Sequence, residues 1–542
     1  MTPSHHFGSP KLTRSSRRQK CMLYGNLNTL FLISIAPESA PLKRSKSLFS
    51  PNRIDKVNMQ QSVHHSCIGM LLLAFTSVTF AGSETPSGAA DQSLSRFETA
   101  LAEYVHKKDP AYRYDLRQTI SGNGFTEYVI ELVSQNFLTL ADVDRTEWHH
   151  WLVVVKPDVI RHNTALVYVG GGSNRDDSPR GARDEFVSIA VTTGSVVAEL
   201  RMVPNQPLRF AGENERRFED SLIAYTWDKF YRTGDVRWPA RMAMTKSVKA
   251  AMDALQEFIP VVSSGHTLAD FVVTGASKRG WTTWTIAAVD QRVRAIIPLV
   301  IDMLNLVPSF KHHWRAYGFW APAIDDYVDQ NIMAWMGSPE ELALHKVVEP
   351  YTHRQHLTLP KLIINATGDE FFLPTSSQFY FDKLLGEKHL RYVPNSRHNL
   401  SRTDALQTLL AYYHSVLSDR PRPRFEWSFE ADGSILVECH ETPVVATIWS
   451  AVNPTNRDFR VDSIGRSWTA EVVEPVTEGV YRAHVTLPEK GWKAFLVELT
   501  YSTPIDVPMK LTTAVRVLPN TLPHDYIAPK WPDEGFIRSK QQ

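Results

Sequence analysis

Cysteine is scarce in this sequence, with three residues among 542, and no apolar run is long enough to cross a bilayer. Cys21 and Cys67 lie in a leader that we expect to be removed, so that Cys439 alone remains and no intramolecular disulfide can form. Because Cys439 lies in a strand-like alternation, we expect a buried structural thiol rather than a reactive one. The apolar segment 67–80 is shorter than the roughly twenty residues that a membrane span needs, which disfavours an N-terminal anchor.

A large excess of charge of one sign is also lacking, since the formal net charge is +1. Residues 1–58 carry ten Lys and Arg against two Asp and Glu, whereas residues 82–542 carry 49 against 56. The mature chain is therefore mildly acidic and has no electrostatic reason to bind nucleic acid. Metal-ligand spacing is absent too: the adjacent His312 and His313 diverge on a helix, and no carboxylate sits at ligand spacing beside them. We predict no metal and no cofactor.

Residues 59–81 have the features of a secretory signal peptide. Polar residues follow Met59, and the apolar core 67–80 then leads to the small residues that a signal peptidase reads, ending at Ala81. We therefore expect a periplasmic or secreted protein. Residues 1–58, rich in Ser, Pro and Arg, are either a disordered extension or the product of an upstream mis-start, and we favour the mis-start.

The most informative motif is an apolar run that breaks at Gly275, Ala276 and Ser277, after which a helical pattern begins. A serine nucleophile is presented in this way at a turn between a strand and a helix, where small neighbours let a substrate carbonyl approach. The match to the G-x-S-x-G form is incomplete, because Arg279 occupies the second glycine position and Gly280 follows one residue later. The alternative is that Ser277 merely ends a strand and caps the next helix.

A carboxylate follows another apolar run, residues 361–366, as the acid of a catalytic triad does in an α/β-hydrolase. We rank Asp369 first for this role. Asp302, at the end of the preceding strand-like run, ranks second, and Glu370 could replace Asp369 if the loop is rotated. Asp369 could also be an ordinary turn residue beside Gly368.

His398 lies in the loop after the strand-like run 389–394, where a general base is expected. The order Ser277, Asp369, His398 is that of an α/β-hydrolase, and each residue follows its own apolar run. These coincidences predict a catalytic triad. A histidine in a loop is otherwise usually just solvated.

The glycine-rich loop 170–172 follows an apolar run and resembles the loop that lends a backbone N–H to the oxyanion hole of lipases and esterases. We predict that the amide of Lys278 and an amide near Gly171 or Gly172 bind the oxyanion. The alternative is a flexible turn; a phosphate loop is disfavoured because no Gly-Lys-Ser/Thr follows. The side chains of Lys278 and Arg279 either attract a carboxylate-bearing substrate or pair with an acid from a neighbouring loop.

Three segments together resemble the PhoPQ-activated pathogenicity-related proteins: residues 169–174 (VGGGSN), 274–284 (TGASKRGWTTW) and 386–395 (GEKHLRYVPN). The resemblance runs from about Tyr104 to about Pro519. It implies a secreted or periplasmic protein of a Gram-negative bacterium with an α/β-hydrolase core, in a family linked to virulence and to antimicrobial-peptide resistance, with amoeban members that act as secreted growth regulators. Ser277, Asp369 and His398 fall on the positions where the family's triad is inferred to lie.

We predict an α/β-hydrolase domain over residues 82–420, with a mostly parallel sheet, helices on both faces and an aromatic-rich helical cap inserted at about 302–359. Short alternating runs then predict a small C-terminal β-sandwich of the immunoglobulin or fibronectin-III kind over residues 424–520. Prolines in the linker 418–423 end the last helix of the hydrolase domain, and residues 521–542 form a tail.

These patterns predict a secreted serine hydrolase that cleaves a small-molecule ester or a peptide, with no nucleic-acid partner and no membrane span. Two alternatives stay open. The chain could be a non-catalytic recognition or signalling factor that keeps a hydrolase core. It could also be a carbohydrate esterase whose C-terminal module binds sugar through Trp468 and Trp492, whose sequence context suggests exposure.

Overall fold

Residues 88–540 are described by the computed structural model, and the predicted signal peptide 59–81 and leader 1–58 lie outside them. The described residues from Asp91 onward form one compact unit. The helices are α1 (Gly88–His106), α2 (Asp184–Thr193), α3 (Glu219–Thr233), α4 (Ala240–Val262), α5 (Lys278–Val289), α6 (Leu306–Tyr317), α7 (Asp325–Asp329), α8 (Pro339–Val348), α9 (Ala405–Leu417) and α10 (Val461–Ile464), with 3-10 turns at Pro322–Ile324, Ile332–Trp335, Arg354–His356, Ser376–Phe379, Phe381–Lys383 and Arg538–Lys540.

The strands are β1 (Arg113–Ser121), β2 (Phe125–Asn136), β3 (Glu147–Pro157), β4 (Thr164–Val169), β5 (Val197–Leu200), β6 (Asp270–Ala276), β7 (Val293–Leu299), β8 (Lys361–Ala366), β9 (Lys388–Val393), β10 (Phe425–Phe429), β11 (Ile435–Cys439), β12 (Val445–Asn453), β13 (Thr469–Val472), β14 (Val480–Ala483), β15 (Trp492–Tyr501), β16 (Met509–Thr512) and β17 (Arg516–Leu518).

The central part of the main sheet is parallel, in the order β5-β4-β6-β7-β8-β9. These strands are short apolar runs, as expected for strands covered on both faces. Strands β1 to β3 extend the sheet antiparallel beyond β5. From β4 the chain passes to β5 on one side and then returns past β4 to β6 on the other side, so the carboxyl ends of β4 and β6 flank a switch point, where ligands bind in open α/β sheets.

Helices cover both faces of this sheet. Alternate residues of its strands point to opposite sides, and apolar side chains on both sides need to be buried. Val273 and Ile363 pack in the core that contains residues of α1, α3, α4 and α5. Val272 and Leu362 pack with residues of α2 and α9. With its exchanged β5 and β4 and a Ser-bearing turn after β6, this is an α/β-hydrolase fold, and the predicted fold class is confirmed.

The segment between β7 and β8 forms α6, α7, α8 and three 3-10 turns. It is the predicted helical cap region, about residues 302–359. Aromatic residues pack within this segment and against α3. Phe310 and Trp320 meet edge to face, and Trp335 is fully buried against Tyr231 of α3. Side chains of α6 and α7 reach the cavity described below.

The C-terminal strands belong to two sheets. Strands β10, β11 and β14 form a small antiparallel sheet, whereas β16, β15, β12 and β13 continue the main sheet. The junction is the pairing of β16 with β9, at Thr512 and Leu390. Val437 of the small sheet and Val497 of β15 lie in the same hydrophobic cluster, so the two sheets face each other. The region is thus sandwich-like, but one of its layers is the edge of the hydrolase sheet.

Two expectations about this region are wrong. Trp468 is 4% exposed and its main-chain N–H donates to Oδ1 of Asn395, so it cannot offer an open sugar-binding face. Trp492 is half-buried, and its indole N–H donates to the carbonyl of Thr521. Cys439 is half-buried rather than buried, and desolvation raises the pKa of its thiol.

Within residues 88–540, no helix has the length and apolar character to cross a membrane.

Candidate active site

Ser277 stands at a sharp turn between the end of β6 and the start of α5. Its backbone has φ +58° and ψ −125°, a left-handed conformation that residues with a β-carbon avoid. The turn is held on both sides, because the N–H of Ser277 donates to the carbonyl of Leu299 and its carbonyl accepts from the N–H of Trp281. The strain is therefore imposed by the strands and helix around it.

Two glycines make this turn possible. A β-carbon at Gly275 would lie 2.8 Å from the carbonyl oxygen of Arg279. One at Gly280 would lie 2.9 Å from the carbonyl oxygens of Gly275 and Leu299. Gly280 thus supplies the close approach of helix to strand that the second glycine of the usual motif supplies, one residue later, which leaves position 279 free for an arginine.

Asp369 and His398 are in direct contact. Nδ1 of the imidazole lies 2.8 Å from Oδ2 and 3.0 Å from Oδ1 of the carboxylate. The carboxylate is 3% exposed and also accepts the N–H groups of Phe371 (2.8 Å) and Phe372 (3.3 Å), so its orientation is fixed by its own loop. An acceptor at Nδ1 leaves Nε2 free to take a proton from a nucleophile.

The two alternative acids contact other groups. Glu370 accepts the main-chain N–H of His398 at 2.8 Å and the guanidinium of Arg397 at 2.7 Å, and so binds the backbone rather than the ring. Asp302 accepts the hydroxyls of Tyr380 and Tyr392, both at 2.6 Å. Burial, helped by the charge of Asp369 and opposed by these hydrogen bonds, raises the pKa of Asp302 to about 7.

Ser277 and His398 are linked through two phenylalanines. The ring centroids of Phe371 and Phe372 lie 4.3 Å and 5.8 Å from that of His398, and both rings line a cavity together with Ser277. Nε2 of His398 is buried and has no hydrogen-bond partner among the described residues, so a bond to Ser277 is not formed. Catalytic hydrogen bonds are often long before substrate binds.

The cavity beside Ser277 is small, with a volume of about 40 Å³. Its walls come from α3, α4, α5, the helical segment after β7 and the Asp369 loop, and most of them are apolar. The lining residues are Asp220, Trp227, Arg241, Ser277, Lys278, Trp281, Ile301, Met303, Leu306, Phe310, Ile324, Tyr327, Phe371 and Phe372.

Lys278 and Arg279 pair with acids of α3, the second of the two alternatives drawn from the sequence. Nζ of Lys278 lies 2.8 Å from Glu219 and 3.0 Å from Asp220. Arg279 forms a two-point ion pair with Glu219, at 2.6 and 2.8 Å. Burial alone would raise the pKa of Glu219, but the two cations outweigh it and hold that pKa far below its usual range.

The glycine-rich loop lies against the same cluster. A β-carbon at Gly171 would lie 2.7 Å from Nη2 of Arg279, so the loop approaches the nucleophile turn only because it carries no side chain there. The carbonyls of Gly170 and Gly171 accept the N–H groups of Val203 and Met202. Gly172 has φ +133°, a conformation suited to glycine.

Sequence reasoning missed the polar and charged residues that surround the nucleophile turn: Glu219, Asp220, Arg241 and Tyr327. They come from α3, α4 and α7, far apart in sequence and in no motif. The backbone gives one sign that this position is unusual, because Glu219 has a positive φ of +46° at the start of α3. His312, considered for a metal, instead contacts the hydroxyl of Thr375 at 2.9 Å. Within residues 88–540, no three His, Cys, Asp or Glu side chains are grouped to bind a metal ion.

Comparison with known proteins gives two strong matches. A family model of the PhoPQ-activated pathogenicity-related proteins matches residues 101–460. Autocrine proliferation repressor protein A of Dictyostelium discoideum is 37% identical over 458 residues, which is 79% of this chain and 92% of that protein.

Solved structures are more distant. Acetyl xylan esterase 1 from Thermoanaerobacterium sp. JW/SL YS485 is 14% identical, with a TM-score of 0.42 over 61% of this chain and 94% of that chain. A glucuronoyl esterase from Solibacter usitatus is 13% identical, with a TM-score of 0.35 over 61% and 93%. The family model and the Dictyostelium relative each span most of this sequence, and the chain therefore belongs to the PhoPQ-activated pathogenicity-related protein family.

Proposed function

We propose that this protein is a serine hydrolase that cleaves an ester or an amide through Ser277, His398 and Asp369. The observation that carries the proposal is the contact between His398 and Asp369 beside a cavity whose wall includes Ser277 on a strained turn. A strained turn at the carboxyl end of a parallel strand presents a serine hydroxyl to a substrate carbonyl, as it does in α/β-hydrolases.

In this mechanism the Nε2 atom of His398 takes the proton of the Ser277 hydroxyl as its oxygen attacks the substrate carbonyl. Asp369 keeps the proton of the imidazole on Nδ1 and stabilises the imidazolium. His398 then protonates the leaving group, and water, activated by the same nitrogen, releases the acyl group. Phe371 and Phe372 limit water around the imidazole, which strengthens these interactions.

The negative oxygen formed during attack needs N–H donors. The amide of Lys278 is the first of α5, where the N–H groups have no partner within the helix. An amide of Gly171 or Gly172 would be the second donor, since this loop lies against Arg279. We further propose that the enzyme works in the periplasm or outside the cell, as the signal-peptide pattern at 59–81 suggests.

The Dictyostelium relative favours a second candidate function. That protein is named as an autocrine proliferation repressor, and a repressor of this kind can act by binding alone. The chain would then keep the hydrolase core as a scaffold for recognition.

An alkyl fluorophosphonate, which reacts covalently with activated serines, separates these functions. We expect the full chain to be labelled on Ser277, the Ser277→Ala variant to be unlabelled, and the Ser418→Ala variant, altered at an exposed serine, to react like the wild type. Equal labelling of wild type and Ser277→Ala would reject the hydrolase, and no labelling of either would favour the binding function.

A further inference from the structure

Arg241 is a buried cation in the wall of the cavity. It lies in α4, is 3% exposed and forms no ion pair with any carboxylate of residues 88–540. Its Nε atom has no hydrogen-bond partner. Buried charges are ordinarily paired directly, so a buried guanidinium that no carboxylate touches calls for an explanation.

The acids around it are already engaged. Of the two carboxylates in this cluster, Glu219 binds both Lys278 and Arg279. Asp220 has one oxygen 3.0 Å from Nζ of Lys278 and the other 3.0 Å from the hydroxyl of Tyr327, which donates to it. Lys278 and Arg279 therefore take the direct ion-pair contacts of both carboxylates, and Arg241 has neither of them in direct contact.

The contacts of Arg241 hold its guanidinium in place without a carboxylate touching it: the hydroxyl of Tyr327, which donates to Asp220, is its hydrogen-bond partner, and the charge of Asp220 attracts it. Nη1 donates a long hydrogen bond of 3.4 Å to the carbonyl of Lys278. The guanidinium carbon lies 4.0 Å from the ring centroid of Trp281 and 5.5 Å from that of Trp227. Stacking of this kind fixes the plane of an arginine, and the Nε donor at its edge remains without a partner.

We propose that Arg241 binds a carboxylate of the substrate, so that the enzyme acts on an ester or amide that carries one free carboxylate near the scissile bond. This inference rests on the proposed function. A substrate carboxylate would give Arg241 the direct ion pair that it lacks, and its two oxygens match the two-point geometry of a guanidinium.

The position of Arg241 sets where that carboxylate lies. The guanidinium reaches the carbonyl of the residue that follows Ser277, so a carboxylate bound to it is only a few bonds from the carbonyl that Ser277 attacks. The rest of the cavity wall is apolar, with Met303, Leu306 and Phe310, which suits a short hydrocarbon link between the two groups. The class of substrate is a short-chain carboxylic half-ester or half-amide.

Calorimetric titration of the full chain carrying Ser277→Ala tests the inference without turnover. The ligands are the monomethyl esters of malonate, succinate and glutarate, each paired with its dimethyl ester, in which the carboxylate is blocked. We expect at least one half-ester to bind roughly 10- to 100-fold more tightly than its diester, the range expected for hydrogen bonds to a charged group. No preference in any of the three pairs overturns the proposal, and this comparison requires no change at Arg241.

Variants assign the preference to a residue. Adding Arg241→Met should abolish it, whereas Arg457→Met should preserve it, because Arg457 is also buried with an unpartnered Nε but does not line the cavity. A preference that survives Arg241→Met in folded protein, checked by circular dichroism, also overturns the proposal. Fluorophosphonate labelling tests the proposed hydrolase separately. If Ser277 is labelled but no half-ester is preferred, only the carboxylate inference is rejected. If a half-ester is preferred but Ser277 is not labelled, only the hydrolase is rejected.

Discussion

The carboxylate of Glu370 accepts a hydrogen bond of 2.8 Å from the main-chain N–H of His398. Its neighbour Asp369 binds the imidazole of the same histidine. Two adjacent carboxylates in one loop thus hold the backbone and the ring separately. Arg397, bonded to both Glu370 and Asp462, ties this arrangement to α10.

The first prediction concerns Glu370. We expect Glu370→Ala to slow fluorophosphonate labelling of Ser277 by roughly 10-fold and to lower the free energy of unfolding by about 1–2 kcal/mol, because it leaves the N–H of His398 without its charged acceptor. Labelling kinetics and urea denaturation measure the two effects. Glu478→Ala, at an exposed position, is the control. An unchanged labelling rate would show that the backbone bond does not position the imidazole.

The second prediction distinguishes the two acids. Asp369→Asn should reduce the rate of labelling by roughly 10³- to 10⁴-fold, since an amide there favours the wrong tautomer of His398. Asp302→Asn should have a much smaller effect, because Asp302 contacts Tyr380 and Tyr392 instead. If the two variants show the reverse ranking, Asp302 is the acid.

The third prediction follows from the backbone of Ser277. Ser277→Gly and Ser277→Ala should both be unlabelled, but the glycine variant should be more stable than the alanine variant by about 1 kcal/mol, because glycine relieves the strain at φ +58°. Chemical denaturation of the two proteins side by side gives the difference. Equal or lower stability of the glycine variant would mean that the turn is not strained.

The fourth prediction is a pH dependence. Since the pKa of Asp302 is raised to about 7, the folded chain keeps this proton over the range in which the unfolded chain has lost it. The contribution of Asp302 to stability is therefore full below about pH 4 and is lost as the pH rises through about 7. Asp302→Asn should gain stability relative to wild type between pH 4 and pH 7, as measured by thermal unfolding at each pH. A difference that does not vary with pH would mean that Asp302 is ionised in the folded protein.

The fifth prediction concerns the base loop and the C-terminal region. Asn395, at φ +55°, donates to the carbonyl of Trp468 at 2.8 Å and accepts its N–H at 2.9 Å. Asn395→Gly keeps the backbone conformation and removes both hydrogen bonds, so we expect slower labelling of Ser277 with little loss of helix content by circular dichroism. Asn456→Gly, which alters a C-terminal turn without contacting the base loop, is the matched comparison. Wild-type labelling in Asn395→Gly would show that the loop is held without the C-terminal region.

The fold class and the family were predictable because short local sequence patterns indicate them. Short apolar runs such as β6 and β8 mark parallel strands, and Gly275 with Ser277 marks the turn after β6. The family prediction is confirmed over residues 101–460. The roles of Ser277, Asp369 and His398 remain predictions.

The contacts that could not be predicted join residues distant in sequence. The sequence around Glu219 does not indicate that it binds Arg279, sixty residues later, because these two charged residues meet only when α3 and α5 pack together. The pairing of Thr512 with Leu390 is equally invisible, since alternation predicts a strand but not its neighbour. The burial of Trp468 cannot be predicted for the same reason, because its partner Asn395 lies 73 residues earlier in the chain.

The pairing of β16 with β9 has a practical consequence for making the protein. A shortened chain ending near residue 420 would retain every residue proposed for catalysis, yet it would leave β9 as a bare outer strand with unpaired N–H and C=O groups. Such strands recruit strands of other molecules, so this fragment should precipitate on expression rather than behave as a free-standing enzyme.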